Sequence, residues 1–116
     1  MIEPVKNQVD PSVFFASDLR VGTVVAARPF PEARKPAIQM SIDLGPLGIK
    51  STSAQITLRY EPSHLIGRQV ICVVNFPPKK IAGFPSEVLV LGGIPQAGDV
   101  VLLKPDQALP NGTPIG

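Results

Sequence analysis

The sequence predicts an all-β domain: a five-stranded barrel with a short helix between strands 3 and 4, extended at both ends. Three observations predict it. Fourteen prolines and ten glycines among 116 residues cut the chain into segments too short for long helices. Several of those segments alternate apolar and polar residues or run as β-branched stretches, the pattern of strands. A hydrophobic content of 44% against 17% charged residues is that of a globular chain with room for one core. Residues 1–12 are expected to be a flexible N-terminal segment and residues 13–116 a single domain.

Val13 to Ala16 is a short apolar patch, and Leu19 to Ala27 follows as a strand rich in β-branched residues. Gly22 lies inside it, where a glycine marks a bulge or bend, as the first strand of a small barrel needs to serve two parts of the sheet. Three prolines make Arg28 to Pro36 a loop with basic and aromatic members. In Ala37 to Leu44, Ile38, Met40, Ile42 and Leu44 share one face of a half-buried strand. Gly45-Pro46-Leu47-Gly48 turns the chain into Ile49 to Ile56, which should pair back as a hairpin. Pro62 suits the first turn of a short helix and Gly67 its end. Gln69 to Phe76 is the most apolar strand, with Val88 to Leu91 as its expected partner. After a turn at Gln96 to Asp99 come the apolar run Val100 to Leu103 and an extended tail from Pro105 to Gly116. That succession is the one of an OB-type barrel.

Charge and chemistry exclude several function classes. A net charge of +2 is too small to mark a dedicated nucleic-acid binder, so any basic patch must be local. Cys72 is alone, sits in the apolar run QVICVVNF, and reads as a buried hydrophobe. One cysteine closes no disulfide within the chain, and no opening segment resembles a signal peptide or membrane span. A cytoplasmic protein without membrane insertion is therefore expected. One histidine, His64, and one cysteine in unrelated contexts make neither a metal site nor a cofactor site. Nucleophile-elbow, phosphate-loop and dinucleotide patterns are absent, so no enzyme and no catalytic residue is read here.

The stretch Asn75 to Gly93 places Lys79 and Lys80 behind Pro77-Pro78, with Phe76 and Phe84 on either side. A stiffened turn loses little entropy on capturing a partner, and cations beside aromatics suit nucleic acid or an extended, partly apolar peptide. The polar run Ser51 to Gln55 admits two roles: cross-strand hydroxyl pairing and capping, or contact with a ligand. The expected binding residues are Arg34, Ser53, Gln55, Arg59, Asn75, Phe76, Lys79, Lys80, Phe84 and Ser86.

Three collinear motifs carry a family resemblance: Asp18-Leu19-Arg20-Val21-Gly22-Thr23-Val24, Ser53-Ala54-Gln55-Ile56-Thr57, and Asn75 to Phe84 with Ser86 to Gly93. Over about Phe14 to Gly116 the chain resembles the CsaA family of export-related chaperones, built on the tRNA-binding-domain version of the OB fold. The resemblance implies a homodimer that holds unfolded precursor proteins ready for translocation in the bacterial cytoplasm and contacts the translocation ATPase. It also implies N- and C-terminal extensions that form the dimer interface. The apolar run Val100 to Leu103 gives that pairing a physical motive, because a finished barrel leaves the run uncovered unless it closes the barrel's own base. The wider family includes structure-specific tRNA-binding modules, which share a tip matched here by Asn75, Pro78, Lys79, Lys80, Gly83 and Ser86. tRNA is thus the alternative partner. The chain departs from that wider pattern at Val88-Leu89, where the tRNA binders carry a Gly-Met pair, and this weakens the tRNA expectation.

Overall fold

The computed structural model describes residues 2–116. Strands β1 (Leu19–Pro29), β2 (Ile38–Asp43), β3 (Ile49–Ala54), β4 (Gln69–Val73) and β7 (Leu89–Val90) form an antiparallel sheet in the order β3-β2-β1-β4-β7. Two hairpins are added to it: β5 (Lys79–Ile81) with β6 (Phe84–Ser86), and β8 (Gly92–Gln96) with β9 (Asp99–Leu102). Helix α1 (Pro11–Phe15) precedes the barrel, and α2 (Pro62–Leu65) stands between β3 and β4. The fold is the expected OB-type barrel with five strands.

β1 does serve two parts of the sheet. Its first half, Leu19 to Thr23, pairs with β4, and its second half, from Thr23 to Pro29, pairs with β2. At the changeover stands Gly22, where a Cβ would lie 2.5 Å from Ile42 Cγ2 and 2.8 Å from Leu44 Cδ2. A register shift between Val24 and Ala26 adds a bulge and more twist. The circle closes where β3 meets the segment before β7. There the Glu87 N–H donates to the Ser51 carbonyl at 2.7 Å, and the buried Thr52 hydroxyl donates to the Val88 carbonyl at 2.6 Å.

Inside the circle, Ile38, Met40, Ile42 and Leu44 project as the alternation predicts and meet Val24, Leu65, Val70, Cys72 and Val88. Each such side chain, fully buried, contributes about 1.5 to 3 kcal/mol before ordering costs. A smaller cluster of Leu19, Val21, Ile71 and Val73 lies apart from it, with Leu91 and Ile115 packed on it.

Ile115 arrives there because the tail returns along the free edge of β1. Val21 donates to the Thr113 carbonyl at 2.9 Å, Gly112 to Val21 at 2.7 Å, and Ile115 to Leu19 at 2.9 Å. Side chains reinforce this track: Arg20 Nη1 reaches the Gly112 carbonyl at 3.1 Å, and Thr23 Oγ1 bonds Asn111 Oδ1 at 2.7 Å. The run Val100 to Leu103 divides by strand alternation. Val100 and Leu102 pack on the barrel's core, while Val101 and Leu103 stay exposed.

Besides the β5–β6 hairpin, α1 and β8 go beyond the sequence reading. α1 starts at Pro11 because Asp10 caps it, its Oδ1 accepting from the Ser12 N–H at 2.9 Å; none of its residues is buried. Gly92-Gly93 opens a further strand, β8, where a Cβ at Gly92 would fall 2.5 Å from Val100 Cγ1, so that only glycine allows the two strands to approach.

Candidate functional site

The lysine tip is a hairpin rather than an open loop. Residues 77 and 78, both proline, lead the chain into β5, and a two-residue turn of Ala82 (φ 47°) and Gly83 (φ 80°) returns it as β6. Both turn residues lie in the left-handed region, the geometry that matches the natural twist of the flanking strands. Lys79 faces Ser86, Lys80 faces Pro85 and Ile81 faces Phe84. Since paired residues share a face, Lys79, Ile81, Phe84 and Ser86 point one way and Lys80 with Pro85 the other. The two adjacent cations therefore serve opposite sides of the hairpin.

Beneath Lys79 the surface is concave. One hollow is lined by Ser53, Phe76, Lys79, Ile81, Ser86 and Leu89 among others. It shares Ser53 and Ile81 with a second hollow that holds Arg34, Lys35 and Gln55. On its other side it shares Phe76, Glu87 and Val88 with a third, which holds Asp18, Leu47, Lys50 and Asn75. Together they form one furrow from the loop after β1, across the mouth of the barrel, to the turn after β2. Its middle is apolar, with Phe76 and Leu89 each 47% exposed. At the Arg34 end the charges are all cationic, whereas at the other end Lys50 stands beside Glu87 and Asp18.

Of the ten expected binding residues, the furrow gathers seven: Arg34, Ser53, Gln55, Asn75, Phe76, Lys79 and Ser86. Not all seven have free polar groups. Asn75 is also a clamp, because its Oδ1 accepts from the Asp18 N–H at 2.8 Å and its Nδ2 donates to the Ala16 carbonyl at 2.9 Å. Ser86 Oγ lies 3.3 Å from Thr52 Oγ1 and 3.4 Å from the Ser53 nitrogen. The polar run from β3 to the residue after it thus divides its roles, with Thr52 buried for closure and Ser53 and Gln55 on the furrow.

Three expected residues lie elsewhere. Lys80 is exposed on the back of the hairpin. Phe84 packs edge-on against the buried Phe30, with ring centroids 5.5 Å apart, and lines a different hollow. Arg59 is engaged in a two-pronged ion pair with Asp99: its Nε bonds Oδ1 and its Nη2 bonds Oδ2 at 2.8 Å. That pairing holds the Asp99 carboxyl below the usual carboxylate range and raises the guanidinium. Glu87, Lys50 and Leu47 joined the furrow without being read from the sequence. Glu87 was the most findable, as the first charge after the lysines.

Little else offers chemistry. Burial pushes the Cys72 thiol up to about 12, which keeps it protonated and unreactive. Among the described residues no three His, Cys, Asp or Glu side chains gather to hold a metal ion, and no helix is long and apolar enough to cross a membrane.

The family model described as "Putative tRNA binding domain" matches residues 19–114. The chain belongs to the tRNA-binding-domain family, whose fold is the barrel described above. Within that family it is similar along nearly its whole length to the CsaA proteins. The crystal structure of the chaperone CsaA from Bacillus anthracis is 60% identical with a TM-score of 0.91, covering 95% of this chain and 100% of that one. That of the CsaA chaperone protein from Picrophilus torridus is 43% identical with a TM-score of 0.86, covering 94% and 100%. A methionine–tRNA ligase of Methanothrix thermoacetophila is 40% identical over 102 residues, which is 88% of this chain and 15% of the ligase. The chain therefore spans less than a fifth of the length of the curated ligases it matches.

Proposed function

We propose that this chain is a non-catalytic, export-related chaperone that binds unfolded precursor proteins in the furrow and assists their delivery to the translocation machinery. The observation that carries the reading is the furrow itself, open along its length, apolar in its middle and cationic at its Arg34 end. Such a surface takes extended chains of many sequences, with side chains against Phe76, Ile81 and Leu89 and salt-sensitive attraction from Arg34, Lys35 and Lys79. The likeness to two CsaA chaperones over their full chains supports it.

The working unit is a homodimer in the cytoplasm, handing clients to the translocation ATPase. What supports pairing is apolar surface with no cover in the single chain: Val9, Val13, Phe14 and Phe15 at the N-terminal end, Val101 on β9 and Leu103 just after it. The two extensions are thus the proposed interface.

Membership of the tRNA-binding-domain family favours a second reading, in which the same furrow docks tRNA with Lys79 on phosphate and Phe76 against a base. A competition experiment separates the two. An unfolded precursor peptide should bind and resist displacement by tRNA, and Phe76→Ala should weaken it about tenfold, the scale of one well-packed aromatic contact. Binding of tRNA alone, falling steeply with salt, would replace the chaperone reading.

A further inference from the structure

The outer face of β1 and β2 carries another hollow, lined by Ala26, Arg28, Gln39, Met40, Ser41 and Phe84, and it shares none of these residues with the furrow. Gln39 is only 5% exposed, although it points away from the barrel's core. Its Oε1 accepts from Arg28 Nε at 2.5 Å. A guanidinium can only donate, so the amide must present its oxygen to Arg28 and turn Nε2 away. Nε2 has no hydrogen-bond partner among the described residues, yet no fully buried side-chain nitrogen or oxygen there lacks one. It therefore keeps contact with solvent, and Gln39 lines the hollow.

The groups at this hollow share one character. Arg28 pairs with no carboxylate among the described residues, and its Nη atoms, Gln39 Nε2 and the Ser41 hydroxyl can all donate. No acidic side chain lines the pocket. Its remaining walls are apolar, and Phe84 is held in place by its contact with Phe30. At about 200 Å³ the hollow is smaller than the roughly 300 to 1,000 Å³ of sites for free small molecules. It suits one side chain or one chain end of a polymer.

We propose that this hollow takes a carboxylate of the bound polypeptide, from an Asp or Glu side chain or from a chain terminus. The proposal rests on the peptide-binding reading and adds to it a preference for clients that carry an acid beside an apolar stretch. A carboxylate on a short aliphatic stem fills both halves of the site, with oxygens on the donors and methylenes against Phe84 and Ala26. A phosphodiester, flanked by sugars on both sides, gains nothing from the apolar walls.

The test is fluorescence anisotropy with four labelled unstructured peptides of one apolar sequence, bearing Glu or Gln at one internal position and a free or amidated terminus. The wild-type chain should bind the Glu form or the free-terminus form about five- to tenfold more tightly than the amidated Gln form, as expected for charge-assisted hydrogen bonds at a part-exposed site. Which of the two forms gains identifies the source of the carboxylate. Gln39→Glu, which keeps the shape and the Arg28 bond, should erase the preference and leave the amidated Gln peptide unchanged. Arg28→Met, at an exposed position, should do the same and carries the test alone if Gln39→Glu fails to fold. Equal wild-type affinity for all four peptides overturns the proposal and leaves the chaperone reading standing, whereas no binding of any peptide removes both. A preference that survives both variants overturns it too. So does an RNA oligonucleotide that binds wild type and loses affinity in both variants, since that assigns the hollow to phosphate.

Discussion

Ser51 and Glu87 exchange two hydrogen bonds, one from the Glu87 N–H to the Ser51 carbonyl at 2.7 Å and one from the Ser51 N–H to Glu87 Oε1 at 2.9 Å. The carboxylate here replaces the second main-chain bond of a strand pair and seals the barrel at the edge of the furrow. Glu87→Ala should cost about 1 to 2 kcal/mol by leaving the half-buried Ser51 N–H unpaired. Glu87→Gln keeps the acceptor and should unfold close to wild type in urea. Equal losses in the two variants would place Glu87's value in its charge instead.

The Arg59–Asp99 pair makes a prediction about acid. Asp99 is held below its ordinary range by Arg59, so the stability it adds is complete above the unfolded-state value near 3.9 and is lost as pH falls through the lower folded value. Urea midpoints followed from pH 5 to pH 2 should drop less steeply in Asp99→Asn than in wild type. Parallel curves would mean that the pair does not contribute to the acid limb.

At the alkaline end Cys72 has the matching role. Its thiol rises to about 12 on burial, so the unfolded chain ionises first and stability declines as pH climbs from about 8.5 toward 12. At pH 8 the folded chain should leave a thiol reagent unconsumed, while the chain in denaturant should react with one equivalent. Rapid labelling of folded protein would show that the core around Val70 and Met40 opens readily.

Ala82 sits at a φ of 47°, in a conformation that its Cβ disfavours by roughly 1 to 2 kcal/mol. Asparagine tolerates that region and suits the first position of this hairpin turn. Ala82→Asn should therefore raise stability by about 0.5 to 1 kcal/mol, seen as an increase of several degrees in Tm by calorimetry. No increase would mean that the tip opens before the barrel does.

The parts legible in the sequence are those written in local periodicity. The alternation from Ile38 to Leu44 names its inward face without outside information, and Gly22 marks the bend of β1 because bulky residues flank it on a strand. The hairpin over the furrow was hidden, since Phe84-Pro85-Ser86 lacks the β-branched signature and its pairing depends on a turn made partly by alanine. Arg59 reads as a free cation until the fold brings Asp99 to it across forty residues of chain. Asn75 reads as a recognition residue and also ties β4 to the Ala16–Asp18 backbone, because an amide side chain can replace a peptide unit only where tertiary structure offers one. At the far end of the furrow Asn75 and Phe76 were visible, whereas Leu47, Lys50 and Glu87 were not, because only the fold brings these three separate segments together.

The return of residues 112–115 along β1 bears on how the chain is made. Arg20 and Gly112 are 92 positions apart, so at a ribosomal pace of about 5 to 20 residues per second the edge of β1 waits roughly 5 to 18 seconds for its cover. Throughout that interval a nascent barrel offers an unpaired strand to any other strand nearby. Until that cover arrives, the chain is itself open to pairing with a neighbour, and its last residues act as the guard of its first strand.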